Sequence, residues 1–581
     1  MKRCPQCNRV ETDDALVFCR VDGTGLVSGS LPLGSEAGTA KFGTAPGATE
    51  IVTSILPHTT DAVISRGTGP TTVLPAQPTA STGQALSRPS RSKAVIAGVA
   101  LMLAAIAGGG YFYHSEKSRP AIESIAVMPF INESGNADVE YLSDGMTETL
   151  INSLSQIPNL NVKARSSVFR YKGKEIDPKK IASELNVQAI LMGRVVQRGE
   201  QLRLSLELID ARTENTLWGN KYERKSSDLV ALQSEMARDV SSNLKTRLSG
   251  ADEAKITKHY SSNPEAYQLY LRGRYHYAKL TKEDLQRGLE YFRQAIKLDP
   301  NFAMAYVGIA DSYNAIPSFN YLSPREAIPQ AKTASLRALE IDPTLAEAHT
   351  ALATSISEYD WDWEKAEREF KRALELNPNA ASTHFLYGLS YLLPMGRTAD
   401  AIDEIQMSVE LEPLNVDMGA NLAAAYMYAR QNEKALEQAR KTYDLEPNFV
   451  GGRIWLATVY GANGMYEQAI ELCEESLRSH PASPPFLTLA GYAYAKAGQR
   501  QKAEEIIKRW KEIAKTQYVS HYWIAPIYAA LDERDRAFEE LEKAYLERDY
   551  FMPRLKIDPF MDSLRDDPRF ADLAKRIGLP Q

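Results

Sequence analysis

The sequence predicts a multidomain protein: a mixed α/β domain followed by an all-helical superhelix, both behind a small metal-binding knuckle and one membrane-spanning helix. Three observations predict it. A helix-ending proline motif returns every 34 or 35 residues through the second half of the chain. Strand-like alternation fills residues 120–250, and a charge-free apolar stretch, 94–113, stands before it. At 581 residues the chain is too long for a single core. Its 44% apolar and 24% charged residues and net charge of −6 are ordinary for globular proteins and supply no basic excess to draw nucleic acid. Four cysteines occur, three of them in the first nineteen residues, so beyond these only Cys473 remains and no disulfide framework can form.

Residues 1–27 carry Cys4-Pro5-Gln6-Cys7 and, eleven residues on, Cys19-Arg20-Val21-Asp22-Gly23. Two knuckles, each offering two ligands from a tight turn, are how a short chain assembles a tetrahedral zinc site. Cys4, Cys7 and Cys19 supply three thiolates, and Asp22 stands where symmetry expects a fourth. A carboxylate can ligate zinc there. The alternatives are a degenerate knuckle, or one completed by a water or another molecule. One closed zinc ion would be structural, supplying folding energy that so short a chain lacks.

Residues 28–93 are rich in Gly, Ser, Thr, Ala and Pro without a lasting apolar period, which predicts a disordered linker. Residues 94–113 read AVIAGVALMLAAIAGGGYFY. As a helix they would extend about 30 Å, the thickness of a bilayer's hydrocarbon core. Tyr111 and Tyr113 close the run as interfacial aromatics. A buried core helix is the alternative. The span begins too far from Met1 for a cleaved signal, so it reads as an anchor. Arg88, Arg91 and Lys93 before it, against Lys117 and Arg119 after it, together with the reduced thiols, favour a cytoplasmic N-terminus. The expectation is a single-pass inner (cytoplasmic) membrane protein whose C-terminal domains are periplasmic.

Within 120–250, Ile125–Phe130 reads as an apolar strand, and Met146, Leu150, Ile151 and Leu154 fall at helical spacing behind Ser143 and Asp144 as caps. Ala189–Val196 is a second apolar strand. Leu202, Leu204, Leu206 and Leu208 alternate with polar residues as a half-buried strand, joined to it through Gly199-Glu200. Thr216–Glu223 gives a further strand and Leu229–Leu248 an amphipathic helix. Asp144-Gly145 is better read as turn and cap chemistry than as a catalytic pair, and Trp218 and Tyr222 as packing aromatics.

The proline motifs end at Pro300, Pro343, Pro378, Pro413, Pro447 and Pro481, at intervals of 43, 35, 35, 34 and 34. That period with a helix-terminal proline is the signature of tetratricopeptide repeats (TPR). About eight units fit within 262–579, with an insertion near Pro317–Pro324 accounting for the long interval. Stacked repeats form a superhelix with a concave groove built from the first helix of each unit. Counting from the small-residue seam, Ala424, Met427, Tyr428, Tyr492 and Lys496 are the residues expected to face that groove and hold an extended protein segment. The alternative is that Met427, Tyr428 and Tyr492 pack on adjacent repeats.

Two resemblances accompany these readings. The CPxC opening and FCxxDG close resemble the zinc ribbon that begins many bacterial membrane proteins. IAVMPFIN, SDGMTETL, ARSSVFRYKGK and ILMGRVVQRGEQLRLSLELIDARTENTLWGNKYER resemble, in order, the TolB-like amino-terminal domain of bacterial signalling proteins. The resemblance implies a domain placed between an upstream output module (a kinase, a cyclase or a winged-helix DNA-binding domain) and downstream TPR units. No phosphate loop or kinase motif precedes it here. The eight histidines form no HExxH pair or visible triad. The function expected is therefore a membrane-anchored, non-enzymatic scaffold or sensor with a protein partner in its groove, homo-oligomerisation being left open. The alternatives are a regulator acting through the cytoplasmic zinc ribbon on DNA or protein, and an unrecognised enzyme.

Overall fold

The computed structural model describes residues 122–244 and 263–580 (save 137–138, 158 and 175–176), Ser261, and three two-residue strands near the N-terminus. Those strands, β1 (Lys2–Arg3), β2 (Val10–Glu11) and β3 (Val27–Ser28), form a small antiparallel sheet in the order β2-β1-β3. Cys4, Cys7, Cys19, Asp22, the linker and the apolar run 94–113 lie outside the described residues. Among the described residues, no helix is long and apolar enough to cross a membrane.

The α/β domain is built on β4 (Ser124–Val127), β5 (Ile131–Asn132), β6 (Asn161–Lys163), β7 (Ala189–Arg198), β8 (Gln201–Asp210) and β9 (Thr216–Lys225). Their order is β6-β4-β7-β8-β9, with β5 beside β7. β4 and β6 run parallel to their neighbours, whereas β7, β8 and β9 form an antiparallel meander. The predicted first strand is shorter than the apolar run suggests. It stops at Val127 because Pro129 has no N–H to give the ladder. Phe130 then turns inward over Gly193, where a Cβ would come within 2.3 Å of its ring. The predicted alternation of β8 is present: Leu202, Leu204, Leu206 and Leu208 are buried, and Arg203 is exposed. They share one core with Leu150 and Leu154 of helix Glu140–Ser155 and with Met236 and Val240 of helix Leu229–Asn243.

Helix Glu140–Ser155 starts earlier than expected. Ser143 and Asp144 are interior residues rather than caps, because the helix begins at Glu140 and their turn is buried. Asp144 is ion-paired to Lys172 at 2.5 Å. Gly145 lets Leu271 approach to a distance that a side chain would forbid, 2.7 Å from a Cβ.

Beyond residue 263, helices alternate in eight pairs among the described residues. The first helices are Pro264–Tyr277, Ala303–Ala315, Ala346–Ser355, Ala381–Leu386, Val416–Tyr428, Val450–Ala462, Pro484–Lys496 and Ala525–Ala530. Their partners are Lys282–Leu298, Pro324–Ile341, Trp363–Leu376, Thr398–Leu411, Asn432–Leu445, Tyr466–Ser479, Arg500–Ile513 and Arg534–Glu547. Small residues at the seams, Ala295, Ala366, Ala373, Ala435 and Ala469 among them, are buried and let the paired helices close on one another. Cys473 is fully buried on such a seam, and burial pushes its thiol up to about 12, which fits an inert packing residue.

The unequal intervals have structural causes. The 43-residue interval carries a 3-10 turn, Ile316–Phe319, and a longer connection to Pro324. The two 35-residue intervals each contain a π-helical segment, Ile356–Asp360 and Tyr387–Leu392, at the end of the first helix. A π turn closes i to i+5 and so absorbs one residue more than the 34-residue units hold.

A polar clamp recurs six residues after the repeat proline. His349 Nδ1 meets Glu369 at 2.6 Å and its Nε2 meets the Pro343 carbonyl at 3.0 Å. His384 does the same with Glu404 and Pro378 at 2.5 and 2.9 Å. Arg453 occupies the equivalent place, donating to the Pro447 carbonyl and Ser476. Each clamp ties the first helix of a unit to the second.

Candidate functional site: the inner cavity of the helical stack

The first helices of successive pairs line a cavity of about 330 Å³. Its wall follows the repeat phase. Asp417 and Gly451 lie four residues after a repeat proline, Ala351, Asn421 and Trp455 eight after, and Asp311, Thr354 and Leu389 eleven after. These positions recur on one face of an α-helix. The far side is closed by Trp523 and by Tyr550 and Phe551 of the segment after the last pair.

Three carboxylates stand in this wall. Asp311 lies 3.2 Å from Arg274, and burial pushes it up to about 6 against that pairing. Asp417 is exposed on its helix, and its Oδ1 receives only the Asn421 amide, at 3.4 Å. Glu358 is 3% exposed on the first π segment, and its Oε1 accepts from Ser390 of the second π segment at 2.7 Å. Its Oε2 is buried without a hydrogen bond of good geometry, and burial, offset in part by Arg554, Ser390 and the Tyr550 hydroxyl, pushes the group up to about 7.

Part of the concave face is filled by the chain itself. Met427, Tyr428 and Tyr492 are 1%, 7% and 8% exposed. Tyr428 meets Trp455 edge-on, with centroids 6.2 Å apart, and Tyr492 lies 4.3 Å from Phe560 of the C-terminal segment. Tyr522 donates to Asp558 at 2.7 Å, and Arg430 grips Asp562 through both nitrogens at 2.7 and 2.8 Å. By helical spacing, Ala424 and Tyr428 continue the face of Asp417 and Asn421, and Tyr492 and Lys496 that of Pro485. Beside Tyr492, however, the C-terminal segment takes the place that the sequence assigns to a partner. Lys496 is exposed at the end of its helix.

The acids and the clamps make stability depend on pH in one direction. Burial opposes charging of His349, His384 and His521, yet their carboxylate partners raise all three above the ordinary histidine value. That contribution is complete below about pH 6.5 and is lost as pH rises through the folded values. Asp311 and Glu358, raised in the fold, also keep protons longer there than in the unfolded chain, so they too favour folding at lower pH. The melting temperature should therefore fall between pH 5.5 and pH 8, by roughly 5 °C. Replacing His349 and His384 by Gln should flatten the slope, and a melting temperature that rises over this window would refute the assignment.

Comparison with known families bears on both halves of the chain. Tetratricopeptide-repeat models match residues 277–302, 362–415, 420–484 and 462–525. The helical stack is a TPR array. The α/β domain matches, over 121–239, a family model described as the second domain of the HilA/YgeH-like transcriptional regulators. Among curated relatives, "Putative adenylate cyclase 3" of Rhizobium meliloti (strain 1021) is 32% identical over 240 residues, 41% of this chain and 41% of that protein. The Transcriptional regulator HilA of Salmonella typhimurium is 20% identical over 306 residues, 52% of this chain and 53% of that protein. The matches thus span about half or less of these relatives' own lengths. A thermophilic TPR protein of Thermus thermophilus, solved by crystallography, is 20% identical with a TM-score of 0.29, covering 33% of this chain and 98% of its own.

The sequence predicts a closing helix over Asp566–Gly578, and helix Pro568–Ile577 stands there; what it missed is the three cavity acids and the turns of Met552–Leu564 that cover Tyr492. The acids had a signal. Aligned on the repeat prolines, Asp311 and Asp417 fall at the phase that faces inward, in helices otherwise dominated by Ala, Gly and Tyr. The turns of Met552–Leu564 had none, because they lack the repeat period.

Proposed function

We propose that the chain is a non-enzymatic interaction scaffold whose TPR array receives a segment of a partner protein in its inner cavity. The observation that carries this reading is that one face of the first helix in unit after unit converges on a single solvent-open cavity, the arrangement by which stacked repeats hold extended ligands. The α/β domain, with its TolB-like sequence blocks, meets the array through Thr149–Tyr267 and Glu148–Arg274 and would relay occupancy. The apolar run 94–113 would anchor the chain in the inner membrane with the array on the periplasmic side, and Cys4, Cys7, Cys19 and Asp22 would hold one structural zinc ion on the cytoplasmic side.

One preparation tests the whole. The full chain carries a photo-crosslinking residue either at Phe319, 42% exposed at the cavity, or at Met407, 44% exposed on the second helix of its unit. Expected are recovery in the membrane fraction, about one zinc per chain lost in Cys7→Ser, and a discrete protein adduct from position 319 but not 407. Equal adducts at both positions, or none, would remove the cavity as the partner site.

A second reading, regulation of transcription, is favoured by the HilA/YgeH-like match over 121–239. It would make the zinc ribbon the effector, acting on DNA or on another protein, with the same TPR array as sensor.

A further inference from the structure

We propose that the inner cavity of the TPR array is a receptor for a cationic side chain, an arginine or lysine presented by a segment of a partner protein. This rests on the scaffold reading above and names the chemistry of its ligand. Among the residues that line the cavity, three are carboxylates and none is basic. Asp311 shares Arg274 with Glu148, which lies deeper in the interface to the α/β domain, so half of that guanidinium is already engaged. Asp417 faces the cavity with only an amide donor, and the second oxygen of the almost wholly buried Glu358 has no hydrogen bond of good geometry.

A buried acceptor left without a donor costs free energy that an incoming N–H donor would recover. Glu358 is held in place by a feature found in two of the units, the facing π segments joined by Ser390, so its position is built into the repeats rather than incidental. Aromatic rings stand in the same wall. Trp455 and Trp523 present indole rings, whose faces attract guanidinium and ammonium groups more strongly than other side chains do.

The chain shows how such a group is received. Arg554, 4% exposed, enters from the C-terminal segment, donates to the Tyr550 carbonyl at 2.9 Å and lies 4.9 Å from the Tyr550 ring. It occupies the edge of the acidic wall and leaves Asp417 without a cation. A protein segment suits the rest better than a small polyamine does, because the acids are separated by apolar surface from Phe385 and Leu389, which would take neighbouring aliphatic side chains.

The test uses the full chain and a fluorescein-labelled decapeptide of alternating Arg and Ala, with its Glu-Ala counterpart as control and spermidine as competitor. The Arg peptide should bind in fluorescence anisotropy at physiological salt and the Glu peptide should not. Asp417→Asn should weaken binding at least tenfold with the circular-dichroism melt unchanged, and Asp417→Glu should restore it. Binding unaffected by Asp417→Asn, equal binding of the Glu peptide, or no binding of the Arg peptide would overturn the proposal. Displacement by equimolar spermidine would assign the site to small cations and overturn the partner assignment. The scaffold reading is judged apart: a 319-specific adduct that persists in Asp417→Asn keeps the scaffold and removes the cation chemistry.

Discussion

Replacing Arg274 by Met should destabilise the full chain by roughly 3–5 kcal/mol, the cost of leaving a buried charge with half its compensation. Glu148 projects from helix Glu140–Ser155 into the contact between the α/β domain and the TPR array. Arg274 donates to it at 2.8 Å through Nε and reaches it at 2.7 Å through Nη2, while Arg165 lies 3.1 Å away. Burial on its own would raise Glu148, but the two guanidinium groups outweigh it and keep the carboxyl below its usual range. Without Arg274 burial gains the upper hand and the carboxyl resists ionisation, so the loss in urea denaturation should be greater at pH 8 than at pH 5. Pairing Arg274→Met with Glu148→Gln should cost less than the sum of the two single changes, because the second removes the charge that the first abandons. A loss under 1 kcal/mol for Arg274→Met would mean that water reaches Glu148 and that the contact is not closed.

Phe292→Ala should be of similar size, about 3–5 kcal/mol. The ring is wholly buried between two glycines of the first helices on either side. A Cβ on Gly273 would approach it to 2.4 Å, and one on Gly308 to 2.5 Å. Those helices lie as close as they do because both positions lack a side chain. Gly308→Ala alone should therefore destabilise by about 1–3 kcal/mol through overpacking, despite alanine's better helix propensity. Combined with Phe292→Ala, the added methyl enters the vacated space, and the double variant should be more stable than additivity predicts. Strict additivity in thermal melts would show that the ring and the glycine do not compete for the same volume.

The TPR period was legible in the sequence because every unit needs the same stop and the same small residues at the same places. Even its irregularities, the 35-residue units, have a local cause in one extra residue per π turn. The meander of the α/β domain was legible because β8 alternates cleanly. Its parallel half was less so: β6 is three residues long, and β4 ends where Pro129 interrupts an apolar run. What could not be read was contact between distant parts of the chain. Tyr428 and Tyr492 have the composition of a binding face and share the helical face that leads to the cavity, but only the folded C-terminal segment determines what covers Tyr492. Glu358, in a sequence of mixed polarity, gave no sign that it would be buried.

That C-terminal segment also ties the array back to its own middle. Trp363 donates to the Ile577 carbonyl at 2.9 Å, Trp361 lies tilted against Tyr545 with Arg548 over its ring at 4.0 Å, and Arg325 reaches the Leu546 carbonyl. An open solenoid has only nearest-neighbour interfaces, so its ends fray independently and it can fold progressively as it leaves the ribosome. Here the second and third pairs borrow part of their packing from a segment roughly two hundred positions downstream. Fraying at the end of the chain withdraws support from the middle, which converts a sequence of local openings into one cooperative transition. It also delays completion of the third pair until that segment has been made, a folding order that the repeat architecture alone would not impose.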